Sequence, residues 1–147
     1  MRTQDIIKLL RSRCRESFLG VFACDRLPAT LPPRRPLILV CNTAPHYQRG
    51  DHWIVLYFDK EARAEYFDSF GEKPIKPFDK YLTKHAASVV WNDKKLQSIM
   101  SGVCGHYCVF YCLYKELGYD IVTISNCFGE DTALNDFIVH KFVCDYL

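Results

Sequence analysis

The stretch from Val103 to Leu117 is apolar almost all the way round a helical projection, and it constrains the fold of this chain more than any other segment. A helix of this kind is stable only when neighbouring elements cover it on every side. Gly118 follows directly, and glycine commonly ends a helix. We therefore expect a central buried helix around which the rest of the chain is arranged.

Short apolar runs elsewhere in the chain predict the β-strands that could cover this helix. Leu37–Cys41 is wholly apolar, as expected of a buried strand, whereas Trp53–Phe58 and Arg63–Phe67 are joined by four turn residues and predict a hairpin. Ser88–Trp91 is a further candidate strand, and helical patterns cover residues 3–13, 78–84 and 132–146. The sequence therefore predicts a single α+β domain over residues 1–147, with a small mixed sheet packed against the central helix.

The composition is typical of intracellular globular proteins. Of the 147 residues, 49% are hydrophobic and 24% are charged, and the longest unbroken apolar run, Tyr107–Tyr114, is too short to span a bilayer. The N-terminal segment lacks the apolar centre of a signal peptide, so we expect a protein that is neither secreted nor bound to a membrane. The eight cysteines lie mostly in apolar segments and form no Cys-x-x-Cys pair, which favours reduced core thiols and no metal site.

Charge is unevenly distributed along the chain, although the net value is only +2. Residues 1–36 hold eight Arg or Lys against three acids, whereas residues 116–147 hold one Lys against six acids. The basic side chains could make weak contact with nucleic acid or form a solvated polar face, and the lack of interleaved aromatic residues favours the solvated face. These basic positions are Arg11, Arg13, Arg15, Arg34 and Arg35.

Cys104 stands where the predicted central helix begins, after a loop of small and polar residues that starts at Gln97. The N-terminus of a helix carries partial positive charge and free N–H groups, so it stabilises a thiolate. A thiolate nucleophile needs a base that takes its proton, a group that orients the base, and donors for the oxyanion. The chain offers candidates for each of these three partners.

Five histidines could act as the base, and their positions separate them. His52 directly precedes the first strand of the predicted hairpin, which gives it a rigid position. His106 follows Cys104 by two residues, so the two side chains diverge on a helix. The other three are His46, which lies in a loop and stays open as a candidate, and His85 and His140, which are expected on exposed helical faces.

Hairpin geometry selects the residue that could orient His52. If the turn is centred on residues 60–61, His52 faces the region of Asp68–Ser69 on the returning strand. Side chains opposite one another on adjacent strands have Cβ atoms ~5 Å apart, within reach of a carboxylate–imidazole hydrogen bond. Asp68 is therefore the candidate orienting acid and Glu65 is its rival, while the alternative is that His52 and Asp68 form an ordinary surface pair.

Gln97 is the candidate side chain for the oxyanion. It lies seven residues before Cys104 on the loop that leads into the helix, so its amide N–H could point at the oxyanion beside the backbone N–H of Cys104. A single glutamine in a loop is also typical of ordinary polar surface. Both interpretations stay open on spacing alone.

These residues together resemble the adenovirus protease (adenain) group of cysteine proteases, whose clan also contains the proteases of SUMO and other ubiquitin-like proteins. The shared order is His52-Trp53, Asp68-Ser-Phe-Gly71, Gln97 and Cys104-Gly105. The segments 18–28 and 40–44, and the seven-residue gap from Gln97 to Cys104, are more similar to adenain than to the SUMO proteases. The resemblance covers residues from about 5 to 117.

The resemblance implies an adenain-like fold and a cysteine endopeptidase that cleaves viral capsid and core precursor proteins in the infected nucleus and the virion. Cys104 would be the nucleophile, His52 the base, Asp68 the orienting acid and Gln97 the oxyanion donor. The alternatives are an isopeptidase that acts on SUMO or other ubiquitin-like proteins, and a non-catalytic relative that serves as a binding module.

The resemblance also implies where the substrate lies. Trp53 would wall a narrow channel over the residues before the cut, which explains a preference for glycine there because only glycine avoids a Cβ clash beneath an indole. Gly102 and Val103, directly before the nucleophile, are expected to be further substrate-binding residues.

Adenain-type enzymes use DNA and an activating peptide as cofactors, and this sequence departs from the features that would support them. Residues 84–96 contain no cysteine to which such a peptide could be disulfide-linked, and a net charge of +2 gives little support for DNA. The candidate acid is Asp68, where adenovirus proteases mostly carry Glu. We therefore expect a monomer that requires no cofactor, from a virus other than an adenovirus or from a virus-like DNA transposon.

Overall fold

The sheet of this protein contains five strands that lie side by side in the order of the sequence. The computed structural model describes all residues from 1 to 147. The two outer pairs of strands are parallel and the two inner pairs are antiparallel, which confirms the predicted mixed sheet. The strands are β1 (Phe18–Ala23), β2 (Leu37–Asn42), β3 (Trp53–Phe58), β4 (Arg63–Phe67) and β5 (Ser88–Trp91).

Five helices accompany the sheet, and one of them is the predicted central helix. Every residue from Cys104 to Leu113 in this helix is buried. The helices are α1 (Thr3–Cys14), α2 (Lys76–His85), α3 (Cys104–Glu116), α4 (Ile121–Ser125) and α5 (Thr132–Cys144). Helix α3 packs against β3 on one side and against α1 and α5 on the others, so it is covered as its composition requires. None of the helices has the length and apolar character needed to cross a membrane.

Strand β2 shows why a wholly apolar run was required at this position. Its alternate residues Ile38 and Val40 belong to the core shared with α3, whereas Leu37, Leu39 and Cys41 belong to a second core on the opposite face. That second face is covered by α2, and by Leu27 and Leu31 of the loop that precedes β2. A strand that is buried on both faces has no polar alternation, because neither face meets water.

The β3–β4 hairpin has the predicted strand bounds but differs from the expected register by one residue. Val55 pairs with Phe67, and the N–H of Asp59 donates to the carbonyl oxygen of Arg63 at 2.9 Å. The loop therefore has three residues, and the last of them, Ala62, has a positive φ of 60°. A loop of this type is a common hairpin connection and shifts the register relative to the four-residue turn that was expected.

Two elements have no counterpart in the sequence prediction. Strand β1 is interrupted by a register shift between Phe18 and Gly20, and most of it is only half-buried. Helix α4 is five residues long, and its N-cap is Asp120, which accepts a hydrogen bond from the N–H of Thr123. Both are too short or too irregular to give a periodic apolar signal.

Candidate active site

Three separate elements bring the predicted catalytic residues into one cavity. Cys104 is the first residue of α3, His52 directly precedes β3, and Asp68 directly follows β4. These three side chains and Gln97 line a cavity of about 410 Å³. The structure thus brings together the four residues that the sequence analysis assigned to catalysis. The rim of the cavity also contains Phe70, Ile75, Ile99 and Gly102.

His52 and Asp68 form the expected contact. The Nε2–H of the imidazole donates to Oδ1 of Asp68 at 2.6 Å, which leaves Nδ1 of the ring for the sulfur of Cys104. Only 13% of the His52 side chain and 6% of the Asp68 side chain are exposed, so this is not a surface pair. The ring of Phe70 stacks on the imidazole with 4.6 Å between centroids and restricts its rotation. Phe70 lies in the turn that follows Asp68, and it was not among the residues predicted from the sequence.

Asp68 is itself held by the backbone and by a neighbouring side chain. The N–H of Phe70 donates to Oδ1 of Asp68 at 2.9 Å. The amide of Asn92 accepts from the N–H of Asp68 at 2.9 Å and donates to its carbonyl oxygen at 2.5 Å, as a paired strand would. Asn92 is buried and was missed by the sequence analysis. The available signal was its position directly after β5, the strand that pairs with β4.

The electrostatics of the site favour a charged thiolate–imidazolium pair. Burial raises the pKa of Cys104, but hydrogen bonds from His52 and from the backbone N–H groups of Trp53 and Gly105 outweigh it, and the pKa is lowered below its usual value of 9.0. Burial lowers the pKa of His52, but hydrogen bonds with Asp68 and Cys104 raise it from 6.5 to about 9. These two shifts favour a thiolate on Cys104 with the proton on the imidazole, which is the state that a cysteine nucleophile requires.

The N-terminus of α3 offers a backbone donor beside the sulfur. The first helical bonds are made by His106 and Tyr107, whose N–H groups both donate to the carbonyl oxygen of Val103. The N–H of Cys104 donates to no group within the protein and remains available. Gln97 is fully buried in the cavity wall, and its Nε2 donates to Oγ of Ser101 at 3.2 Å.

The residues expected to bind substrate are less closely associated. Gly102 lines the cavity of Cys104 and has a positive φ of 66°, whereas Val103 is the N-cap of α3 and packs against the core. The indole Cδ1 of Trp53 lies 3.3 Å from where a Cβ would be at Gly105, so a side chain at Gly105 would require the indole to move by a few tenths of an ångström. Trp53 lines a neighbouring cavity of about 300 Å³ and does not line the cavity of Cys104. The substrate-binding roles of all three residues stay predictions.

The rival catalytic candidates are engaged elsewhere. Glu65 accepts a hydrogen bond from the hydroxyl of Tyr111 at 2.5 Å and pairs with Nζ of Lys115 at 3.0 Å. His46 pairs with Asp25 through Nδ1 at 2.5 Å and lines the cavity that contains Trp53. His106 is buried beside His140, with 4.9 Å between ring centroids, and burial lowers its pKa to about 4. Neither Glu65 nor the other histidines reach Cys104.

Comparison with known proteins identifies the family. The model of the adenovirus endoprotease family matches residues 18–124. The protease of bovine adenovirus 7 is 32% identical over 142 residues, which cover 84% of this chain and 68% of that protein. The protease of bovine adenovirus 4 is 32% identical over 118 residues, which cover 69% of this chain and 58% of that protein.

Solved structures with the same fold are more distant in sequence. A crystal structure of the ASFV pS273R protease superposes with a TM-score of 0.68 at 16% identity and covers 95% of this chain and 66% of that one. The central domain of the Lpg1148 protein from Legionella pneumophila superposes with a TM-score of 0.56 at 13% identity, over 100% of this chain and 98% of that one. This chain spans 68% and 58% of the length of the two bovine adenovirus proteases and 66% of that of the ASFV protease. The family match and the adenoviral relatives show that the chain belongs to the adenovirus endoprotease family of cysteine proteases.

Proposed function

We propose that this protein is a cysteine endopeptidase that cleaves viral capsid or core precursor proteins at glycine-containing sites. The observation that carries the proposal is the contact of His52 with Asp68 at 2.6 Å, in a cavity where the pKa of Cys104 is lowered and that of His52 is raised. The adenoviral relatives, which are named as proteases, support the viral setting. Such an enzyme would act in the infected nucleus and in the virion.

The proposed mechanism is acyl transfer. The Cys104 thiolate attacks the scissile carbonyl carbon, and the electron pair of the C=O double bond moves to oxygen. The N–H of Cys104 and the Nε2–H of Gln97 donate to this oxyanion, and one such donor is worth about 3 kcal/mol of transition-state stabilisation. His52 then gives its proton to the leaving amine, and a thioester remains on Cys104.

Hydrolysis of the thioester completes the cycle. Neutral His52 takes a proton from water, whose oxygen attacks the thioester carbon. The second oxyanion forms in the same place, and its collapse expels the Cys104 thiolate and releases the acid product. Asp68 keeps Nε2 protonated throughout, so that Nδ1 faces the reacting atoms.

The preference for glycine is proposed from the surroundings of Trp53. Its indole already lies against Gly105, the residue that follows Cys104. A peptide that runs from Cys104 towards the neighbouring cavity passes this ring, and a residue without a Cβ can approach it most closely.

Cleavage of a peptide library tests the proposal directly. The wild type should cut glycine-containing peptides, whereas Cys104→Ala and His52→Ala should lose cleavage and keep the fold as measured by circular dichroism. Cys144→Ala, which removes an exposed thiol that does not line the cavity, should cleave as the wild type does. Addition of DNA or of candidate activating peptides tests whether either is a cofactor.

The outcomes separate the alternatives. Cleavage of a ubiquitin-like fusion without cleavage of the peptides would indicate an isopeptidase. Failure to cleave either substrate, together with a Cys104 that iodoacetamide modifies no faster than Cys144, would indicate a non-catalytic binding relative. Retained turnover in Cys104→Ala would contradict the mechanism.

A further inference from the structure

Ser69 lies next to the triad acid in sequence, and it makes two hydrogen bonds with the oxyanion glutamine and one with the residue before it. Its hydroxyl donates to Oε1 of Gln97 at 2.6 Å. Its carbonyl oxygen accepts from the N–H of Leu96 at 2.9 Å and from the N–H of Gln97 at 3.1 Å. Ser69 and Gln97 are each only 1% exposed, so water does not compete for these bonds.

The orientation of the Gln97 amide decides whether it can serve an oxyanion. Only the NH₂ end donates, and the carbonyl end would repel a negative oxygen. The hydroxyl of Ser101 donates to the carbonyl oxygen of Ser98 at 3.1 Å, so Oγ of Ser101 has no second proton and can only accept from Gln97. If the Gln97 amide were flipped, its Oε1 would face a lone pair of Ser101 Oγ, and the two oxygens would repel each other. The network of Ser69 and Ser101 therefore selects the orientation with Nε2 away from Ser69.

Asp68, the residue before Ser69, holds the candidate base His52 from the same segment of chain. Asp68 binds His52 and Ser69 binds Gln97, and both residues belong to a turn that the N–H of Gly71 closes on the carbonyl oxygen of Asp68 at 2.8 Å. The segment is anchored at Gly71, where φ is +71° and an added Cβ would be 2.8 Å from the carbonyl carbon of Lys94. One short rigid segment thus fixes the positions of both the base and the candidate oxyanion donor.

We propose that Ser69 is a positioning residue that holds the carboxamide of Gln97 with its NH₂ group directed at the oxyanion. The inference rests on the proposed function, in which Gln97 stabilises the oxyanion. In the substrate-free protein Ser101 accepts one N–H of this group, and the oxyanion takes its place as acceptor during acylation. Without the Ser69 hydroxyl, the amide has no donor on its carbonyl side and can flip.

Kinetics of Ser69→Ala test the proposal. We expect kcat for a glycine-containing peptide to fall by about 10- to 100-fold with little change in KM, because the lost interaction acts on the transition state. Alkylation of Cys104 by iodoacetamide forms no oxyanion, so its rate should stay that of the wild type. If Ser69→Ala instead disturbed the His52–Asp68 pair, both peptide cleavage and alkylation of Cys104 would slow. That result would overturn the proposal.

Two further variants sharpen this test. Ser69→Ala placed in a Gln97→Ala background should cause no additional loss of kcat, because the residue acts only through Gln97. Ser125→Ala is a matched control, since Ser125 is also buried but its hydroxyl has no hydrogen-bond partner and it lies on α4. Its kcat should equal that of the wild type. Full additivity of the Ser69 and Gln97 losses would contradict the assignment.

A measurement that needs no turnover keeps this inference separate from the proposed function. The side-chain NH₂ signals of Gln97 can be identified in an NMR spectrum by their absence in Gln97→Ala. They should shift in Ser69→Ala and stay in place in Ser125→Ala, even if the wild type cleaves no peptide. Unchanged signals in Ser69→Ala would overturn the positioning role, whereas an inactive wild type with shifted signals would contradict only the protease assignment.

Discussion

Replacement of Asp68 by asparagine should move the alkaline limb of the pH–rate profile down by about two pH units. Burial lowers the pKa of His52, but the bonds with Asp68 and Cys104 outweigh it and raise the pKa from 6.5 to about 9. Asparagine keeps the shape of the side chain and an oxygen acceptor but carries no charge. With the carboxylate gone, the desolvation of His52 is no longer offset, so its pKa should fall towards 6.5 and the thiolate–imidazolium pair should be lost at lower pH.

The same shift predicts a change in stability with pH. A pKa raised from 6.5 to about 9 corresponds to about 3 kcal/mol of differential stabilisation of the charged imidazole. Because the folded pKa is the higher one, this contribution is complete below pH 6.5 and is lost as the pH rises through about 9. The His52 contribution to the free energy of unfolding should fall over this range, the lowered pKa of Cys104 acts in the opposite direction, and most of the His52 contribution should be absent in Asp68→Asn.

Two assays measure these effects. The pH dependence of kcat/KM on a precursor peptide gives the alkaline limb, and urea unfolding at about pH 6 and about pH 10 gives the change in stability. Glu65→Gln is the matched control, because it also removes a carboxylate from the hairpin but one that pairs with Lys115. Its alkaline limb should remain near pH 9, the value set by His52. An Asp68→Asn limb that also remains near pH 9 would refute the role of Asp68.

Two further substitutions test how the site is held in place. Asn92→Ala should lower the free energy of unfolding by about 1–3 kcal/mol and reduce kcat, because it leaves the buried N–H of Asp68 without a partner, while the carbonyl oxygen of Asp68 keeps its bond from the N–H of Gly71; urea denaturation and peptide kinetics measure both. Gly71→Ala should be more destabilising than Gly118→Ala, although both have positive φ, because only at Gly71 would the Cβ meet backbone, that of Lys94 at 2.8 Å. Equal shifts in melting temperature for the two glycine variants would contradict that reasoning.

Local sequence patterns were sufficient to predict the elements whose boundaries lie within one short segment. The bounds of β3, β4 and β5 were predicted because apolar runs there end at turn residues, and α3 was predicted because its apolar surface has no polar face. The order of His52, Asp68, Gln97 and Cys104 then identified residues that the structure places around one cavity.

The supporting residues could not be found in the same way. Asn92 contacts Asp68 across 24 residues of chain and Ser69 contacts Gln97 across 28, so both roles depend on how distant segments pair. A single buried Asn or Ser carries no periodic pattern that would distinguish it from a turn residue. Phe70 was not predicted for a different reason, since its stacking on His52 depends on the turn at residues 68–71, whose conformation leaves no periodic pattern in the sequence.

The loop at residues 60–62 sets the register of the hairpin and thereby the relative positions of His52 and Asp68 at its other end. With a three-residue loop closed by Ala62 in the left-handed region, the strands pair as far as Val55 and Phe67, and the turn that follows places the ring of Phe70 on the imidazole of His52. Asp68 then approaches Nε2 diagonally and reaches it at 2.6 Å. A slip of one residue would turn every side chain of the returning strand to the other face, including the apolar residues Ala64 and Tyr66, so burial of the sheet opposes it. The packing that stabilises the fold therefore also fixes the distance between the base and its acid.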